Sequence, residues 1–171
     1  MQMRDKSLPD RELLLEAEAA VAAAREGGAR LVVNDRADVA AMIGAAGVHL
    51  GQDDLPADSA REILGAEGLV GWSTHSVEEA RAAASLPVDY IALGPIFATT
   101  HASVRREPLG VEAVAQAAAG LDVPLVAIGG IDLTRAPELL AAGASCVAVL
   151  GDIMTAKDIP ARAAAYMALR T

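Results

Sequence analysis

The sequence predicts an α/β fold of the TIM (β/α)8-barrel class, shortened to seven strand–helix units. Three observations carry this. Short β-branched runs recur along the chain, each followed by a polar or Gly-rich turn and then an Ala-rich helical stretch. These runs lack period-two alternation, which is how strands buried on both faces beneath helices read. No G-x-G-x-x-G follows the first strand, so a doubly wound dinucleotide-binding domain is excluded.

Met1 to Arg4 reads as the first strand, and Arg11 to Ala24 follows as a helix with apolar residues at three-to-four spacing. Leu31-Val32-Val33 is the second strand. Gly47-Val48-His49-Leu50 is the third, entered through Ala45-Ala46-Gly47, which reads as a helix-closing turn. Gly68 to Trp72 is the fourth, and Ser76 with Glu79 forms a capping box opening the helix Ser76 to Ala84. Tyr90 to Leu93 is the fifth strand, with Val111 to Ala119 helical behind it. Leu125 to Ile128 is the sixth. Asp132-Leu133-Thr134 opens the next helix, Pro137 to Ala142, and Ala-Ala-Gly at 141–143 closes it. Cys146 to Leu150 is the seventh strand and Ile159 to Leu169 the last helix. No linker or charge block interrupts residues 1–171, which read as a single domain.

Each unit spans about 20–25 residues, whereas a complete barrel needs about 200 or more, so the first unit is expected to be missing. Loss of that unit would expose two strand edges. Such a chain is expected to aggregate, or to pair with another copy as a homo-oligomer.

The chain is 53% hydrophobic but only 2% aromatic, so its core is built from Ala, Val, Leu and Ile. A net charge of -9 and a pI of about 4.7 argue against nucleic-acid or anionic-membrane partners, which need a basic face. Any phosphate site must be a local construction. Cys146 is the only cysteine, which excludes an intrachain disulfide and a Cys-rich metal site. Its apolar run, Ser145 to Leu150, predicts a small buried hydrophobe. No stretch reaches the roughly 18 apolar residues of a membrane span, and the N-terminus lacks a signal peptide's apolar core. A cytoplasmic setting is expected.

Barrel chemistry sits where strands end. The successive ends here are Gln2-Met3-Arg4-Asp5-Lys6, Asn34-Asp35-Arg36, His49 to Asp54, Ser73-Thr74-His75, Gly94 to His101, Gly129-Gly130 and Leu150-Gly151. Asp35 and Asp54 fall at matching ends of adjacent strands, where two hard carboxylates suit magnesium and a substrate's phosphate oxygens. Arg4 and Lys6 would balance a diphosphate. Gly129-Gly130 and Leu150-Gly151 follow the last two strands, the usual barrel phosphate site. No Ser/His/Asp or Cys/His set reads as a triad, and His49 reads as hydrogen-bonded inside.

Six motifs occur in order: Gln-x-Arg-x-Lys, Val-Val-Asn-Asp-Arg, Gly-Val-His-Leu-Gly-Gln-Asp-Asp-Leu, Gly-x-Ser-Thr-His-Ser, Gly-Pro-Ile-Phe-x-Thr and Val-Ala-Ile-Gly-Gly-Ile. From Gln2 to Ile153 the series closely resembles the thiamine-phosphate synthase family. The resemblance implies a magnesium-dependent transferase acting on small phosphate and diphosphate substrates. Hydroxymethylpyrimidine diphosphate loses pyrophosphate, and the thiazole phosphate nitrogen attacks the pyrimidine methylene. It further implies that Gln2, Arg4, Lys6, Asn34 and Ser73 hold the pyrimidine diphosphate, with Ser73, Arg4 and Lys6 as the catalytic groups. Asp35 and Asp54 would hold magnesium. Thr99, Thr100, His101, Gly130, Leu150 and Gly151 would hold the thiazole phosphate. The alternatives are a thiazole tautomerase of the same superfamily, with His75 as acid/base, or a non-catalytic phosphate-binding protein; retention of Asp35 and Asp54 disfavours the tautomerase.

The sequence departs from the family where a lysine usually follows the threonine-rich turn, a position occupied here by Ala102. One charge-assisted hydrogen bond is worth about 1.5–3 kcal/mol, or roughly 10- to 150-fold in rate. Ala102→Lys is therefore expected to raise pyrophosphate release measurably. No gain, with Arg105→Ala or Arg106→Ala costing activity instead, would show that an arginine has taken the role.

Overall fold

A computed structural model describes residues 1–100 and 106–169. Seven strands follow one another in chain order in a parallel sheet, with helices between them, the βα order of the barrel class that the sequence predicts. The strands are β1 (Gln2–Met3), β2 (Val32–Asn34), β3 (Gly47–Leu50), β4 (Leu69–Thr74), β5 (Tyr90–Leu93), β6 (Leu125–Ile128) and β7 (Cys146–Ala148). The helices are α1 (Asp10–Glu26), α2 (Ala37–Met42), α3 (Ala57–Leu64), α4 (Val77–Ala83), α5 (Val111–Ala118), α6 (Ala136–Ala141), α7 (Gly151–Met154) and α8 (Ile159–Met167). The chain divides into two compact units, residues 1–73 with 85–90, and residues 74–84 with 91–171.

In the first unit, β1 pairs with β2, β2 with β3 and β3 with β4, all parallel. β3 is buried along its whole length, the polar His49 included, as the lack of period-two alternation predicts. α1 lays Leu13, Ala17, Val21 and Ala24 inward at helical spacing and carries Asp10 and Glu12 in its first turn, where they complement the helix dipole. Leu13 and Ala17 join Val33, Val48, Leu50 and Val70 in one aliphatic cluster. Trp72, the chain's one tryptophan, packs half-buried against that cluster. Arg61 anchors the far end of the sheet: its guanidinium donates to the Gly65 carbonyl and, at 2.7 Å, to Asp89 Oδ2, which also accepts the Val70 amide.

The second unit pairs β5 with β6 and β6 with β7, again parallel, around buried Ile91, Leu93, Leu125, Ala127 and Leu139. Ser76 caps α4 by accepting the Glu79 amide at 3.1 Å. The Glu79 carboxylate in turn accepts the His75 amide at 2.6 Å. Asp132 accepts the Thr134 and Arg135 amides just before α6, so the predicted start signal holds. Gly143 ends the turn after α6 at φ 106°, as read.

Two readings need correction. The turn into β3 is made by Gly44, whose φ of 62° ends α2, while Gly47 is already the first residue of the strand. Cys146 is exposed, because it opens a strand only three residues long with no fully buried position.

Gly47 faces Leu69 across the β3–β4 ladder, and a Cβ there would lie 1.9 Å from the Leu69 carbonyl oxygen. Gly47→Ala should force the strands apart and destabilise the fold by at least about 1–3 kcal/mol. A lower urea midpoint at unchanged slope is the expected result, and a wild-type midpoint would refute it.

Candidate active site

The strand ends of the first unit gather most of the chemistry-bearing residues. Gln2 and Arg4 are exposed at the end of β1, and Lys6 reaches from the same segment to Asp35, Nζ to Oδ2 at 2.7 Å. Asn34 ends β2 directly opposite His49 of β3. Asp35 follows in the left-handed region at φ 63°, the only described non-glycine residue with positive φ. Aspartate tolerates that conformation better than most side chains, at a cost of about 1–2 kcal/mol. The conformation is held by the Asp35 amide, which donates to the His49 carbonyl at 2.8 Å. Asp54 returns to the same strand end, its Oδ2 accepting the Gly51 amide at 2.7 Å. Both carboxylate residues are thus pinned to the C-terminal end of β3, two residues apart along it. Arg36 is committed elsewhere, bidentate on Asp38 and bonded to Asp10.

These groups fit a hard divalent cation. They are oxygen donors, and the Lys6 ammonium against Asp35 shows that the position attracts positive charge. Among the described residues no cluster of three or more His, Cys, Asp or Glu forms a cage. Two carboxylates, with waters and substrate oxygens completing the shell, is the arrangement magnesium takes.

The sequence reading missed a second feature of this unit. His49 is 7% exposed, and its Nε2 lies 2.8 Å from Ser73 Oγ while Nδ1 lies 3.0 Å from Tyr90 Oη. Ser73 and His49 therefore do meet, although no triad results, since Nδ1 faces a phenol. The only signal in the sequence was the matching place of the two residues near the ends of consecutive strands. Burial pulls the His49 pKa from its ordinary 6.5 down to about 4, with the nearby Asp54 charge opposing the shift.

In the second unit, His75 Nδ1 donates to the Gly94 carbonyl at 2.7 Å. Gly129 and Gly130 adopt φ of 101° and 63°. Side chains there would collide with the β5 loop: a Cβ on Gly129 would lie 2.6 Å from Pro95 Cβ, and one on Gly130 2.4 Å from the Ala98 oxygen. Arg135 braces this turn, donating to the Gly130 carbonyl at 2.6 Å with its guanidinium 4.6 Å over the Phe97 ring. Thr99 is half-buried and Thr100 exposed. Leu150 is exposed and Gly151 opens the single-turn α7. His101, Ala102 and Arg105 lie outside the described residues.

The family model described as "Thiamine monophosphate synthase" matches residues 1–153. The chain is 42% identical over 169 residues to the thiamine-phosphate synthase of Pelotomaculum thermopropionicum, covering 99% of this chain and 78% of that one. It is 45% identical over 167 residues to the thiamine-phosphate synthase of Anaeromyxobacter dehalogenans, covering 98% and 74%. The solved thiamine phosphate pyrophosphorylase from Pyrococcus furiosus superposes with a TM-score of 0.89 at 33% identity, covering 98% of this chain and 80% of that one.

The buried imidazole makes stability depend on pH with a definite sign. Folded His49 stays neutral to about pH 4, whereas the unfolded residue takes its proton near 6.5. The contribution is whole above pH 6.5 and is lost as the pH falls toward 4, by about 3 kcal/mol at most. Urea denaturation at stepped pH should show a shallower acid loss in His49→Gln than in the parent chain. Parallel curves would refute the assignment.

Proposed function

The chain belongs to the thiamine monophosphate synthase family, and from that premise we propose that it joins hydroxymethylpyrimidine diphosphate to thiazole phosphate, giving thiamine phosphate and pyrophosphate. It is a transferase of thiamine biosynthesis. The observation that carries the residue-level reading is the pinning of Asp35 and Asp54 to one strand end, with Lys6 beside them.

The reaction breaks the C–O bond between the pyrimidine methylene and the diphosphate and forms a C–N bond to the thiazole nitrogen. Negative charge collects on the departing pyrophosphate, so the chain must supply cations and hydrogen-bond donors rather than a nucleophile. In this reading Arg4 and Lys6 balance that charge, while Gln2, Asn34 and Ser73 orient the pyrimidine diphosphate. Lys6 pairs with Asp35 at 2.7 Å, which holds its ammonium beside the carboxylates that would carry the metal and within the segment assigned to the diphosphate. Asp35 and Asp54 would hold magnesium, which when bound supplies further charge neutralisation on the leaving group.

In the second unit, Gly130 and its brace Arg135 support the assignment of the thiazole phosphate to backbone amides, because glycine leaves the turn without side chains. Thr99, Thr100 and the Leu150-Gly151 backbone belong to the same proposed subsite. Among the described residues no helix is long and apolar enough to cross a membrane. A cytoplasmic setting goes with this biosynthetic role.

Asp54→Asn keeps an oxygen for the Gly51 amide but removes the charge. Turnover in magnesium should fall by at least about a hundredfold, since a bound metal supplies several kcal/mol to such a transition state. The melting temperature should stay near the parent value. Full pyrophosphate release by the variant, or by the parent chain in excess chelator, would sink the metal assignment.

A further inference from the structure

A buried histidine in a core is usually satisfied by backbone carbonyls or water. His49 instead spends both ring nitrogens on side-chain hydroxyls, those of Ser73 and Tyr90. The three residues come from three consecutive strands of the sheet, β3, β4 and β5, and all belong to the first compact unit. Gly71 stands directly opposite His49, and Ser73 lies two residues further along β4, on the same face. The imidazole and phenol rings stack at 5.5 Å and 21°. They meet only because residue 71 has no side chain: a Cβ there would lie 2.1 Å from Tyr90 Cζ and 2.6 Å from His49 Nδ1.

The direction of the hydrogen bonds follows from the acidities of the two hydroxyls. A phenol is the stronger donor and the weaker acceptor, because its oxygen lone pair is delocalised into the ring; an aliphatic hydroxyl is the reverse. The better pairing has Tyr90 donating to Nδ1 and the Nε2–H donating to Ser73 Oγ. With its oxygen accepting from His49, Ser73 keeps its own proton for another partner. The opposite tautomer would consume that proton inside the core.

We propose that Tyr90 and His49 are positioning residues that fix Ser73 as a hydrogen-bond donor to the pyrimidine diphosphate. This rests on the reading of Ser73 as a substrate contact. An anionic leaving group offers only acceptors, so a serine whose proton is held outward is worth more to it than one that rotates freely. Neither Tyr90 nor His49 need touch the substrate.

The test is a double-mutant cycle on the full chain, read as separate kinetic constants for the two substrates. Tyr90→Phe should lower kcat/KM for the pyrimidine diphosphate about tenfold, the scale of one hydrogen bond, and leave KM for the thiazole phosphate unchanged. Ser73→Ala should lose at least as much, and Ser73→Ala with Tyr90→Phe should be no slower than Ser73→Ala alone. His49→Gln, whose amide retains an N–H for Ser73, should keep more activity than His49→Leu. Nitrogen-15 NMR of the parent chain should place the neutral ring proton on Nε2, with that preference weakened in Tyr90→Phe. Additive losses, a Tyr90→Phe enzyme of parental activity, or a proton on Nδ1 would overturn the proposal while leaving Ser73 as a contact. Full activity in Ser73→Ala would overturn the underlying reading of the site, and is distinguishable because the NMR result is unaffected by it.

Discussion

Hydrogen bonding between β2, β3 and β4 holds Asn34 opposite His49 and His49 opposite Gly71, and nearly everything of chemical interest in the first unit depends on that register. Side chains alternate between faces along a strand, so a slip of one residue would carry His49 away from Ser73 and set another side chain where Gly71 now leaves room. The register is enforced at the other end of the same ladder by Gly47 against Leu69, where no side chain fits. The β3–β4 ladder thus has a glycine at two of its contacts, one for closeness between strands and one for an aromatic ring.

A second constraint is electrostatic. A chain of net charge -9 that handles phosphate and diphosphate must concentrate its cations where the ligands arrive. Several arginines are already spoken for. Arg36 is held by Asp38 and Asp10, Arg61 by Asp89 and loop carbonyls, and Arg162 contacts Asp152. Lys6 is different in kind, since its partner Asp35 sits among the proposed ligand-binding groups rather than in a helix or a loop brace. The pair stores a cation and a carboxylate side by side, each available to a partner of opposite sign.

The strands were legible because parallel strands covered on both faces lack period-two alternation, and the runs at 47–50, 90–93 and 125–128 match the structure. The longer helices were legible from their periodicity and caps. α2 and α3 were harder to see, since Ala37–Met42 and Ala57–Leu64 are short and begin without side-chain caps. The misplaced turn at Gly47 shows the limit of local reading: two glycines stand three apart, and only the backbone shows which one needs positive φ. The candidate site was legible as an ordered set of motifs, which named Asp35, Asp54 and Ser73 but not what supports them. His49 and Tyr90 are 41 residues apart, and Tyr90 stands first in a strand that reads only as apolar. Their meeting is a property of register and of an absent Cβ, neither of which a linear pattern displays.

The scarcity of aromatic residues gives the molecule an unusual optical simplicity. Trp72 is the only tryptophan, and it sits on β4 between Gly71 and Ser73, half-buried against the aliphatic cluster. Indole emission from this protein is therefore the signal of one strand. Its wavelength and intensity report the solvation of the residue next to Ser73, so the chain carries an intrinsic fluorophore on β4 beside the proposed substrate contact, without labelling or substitution.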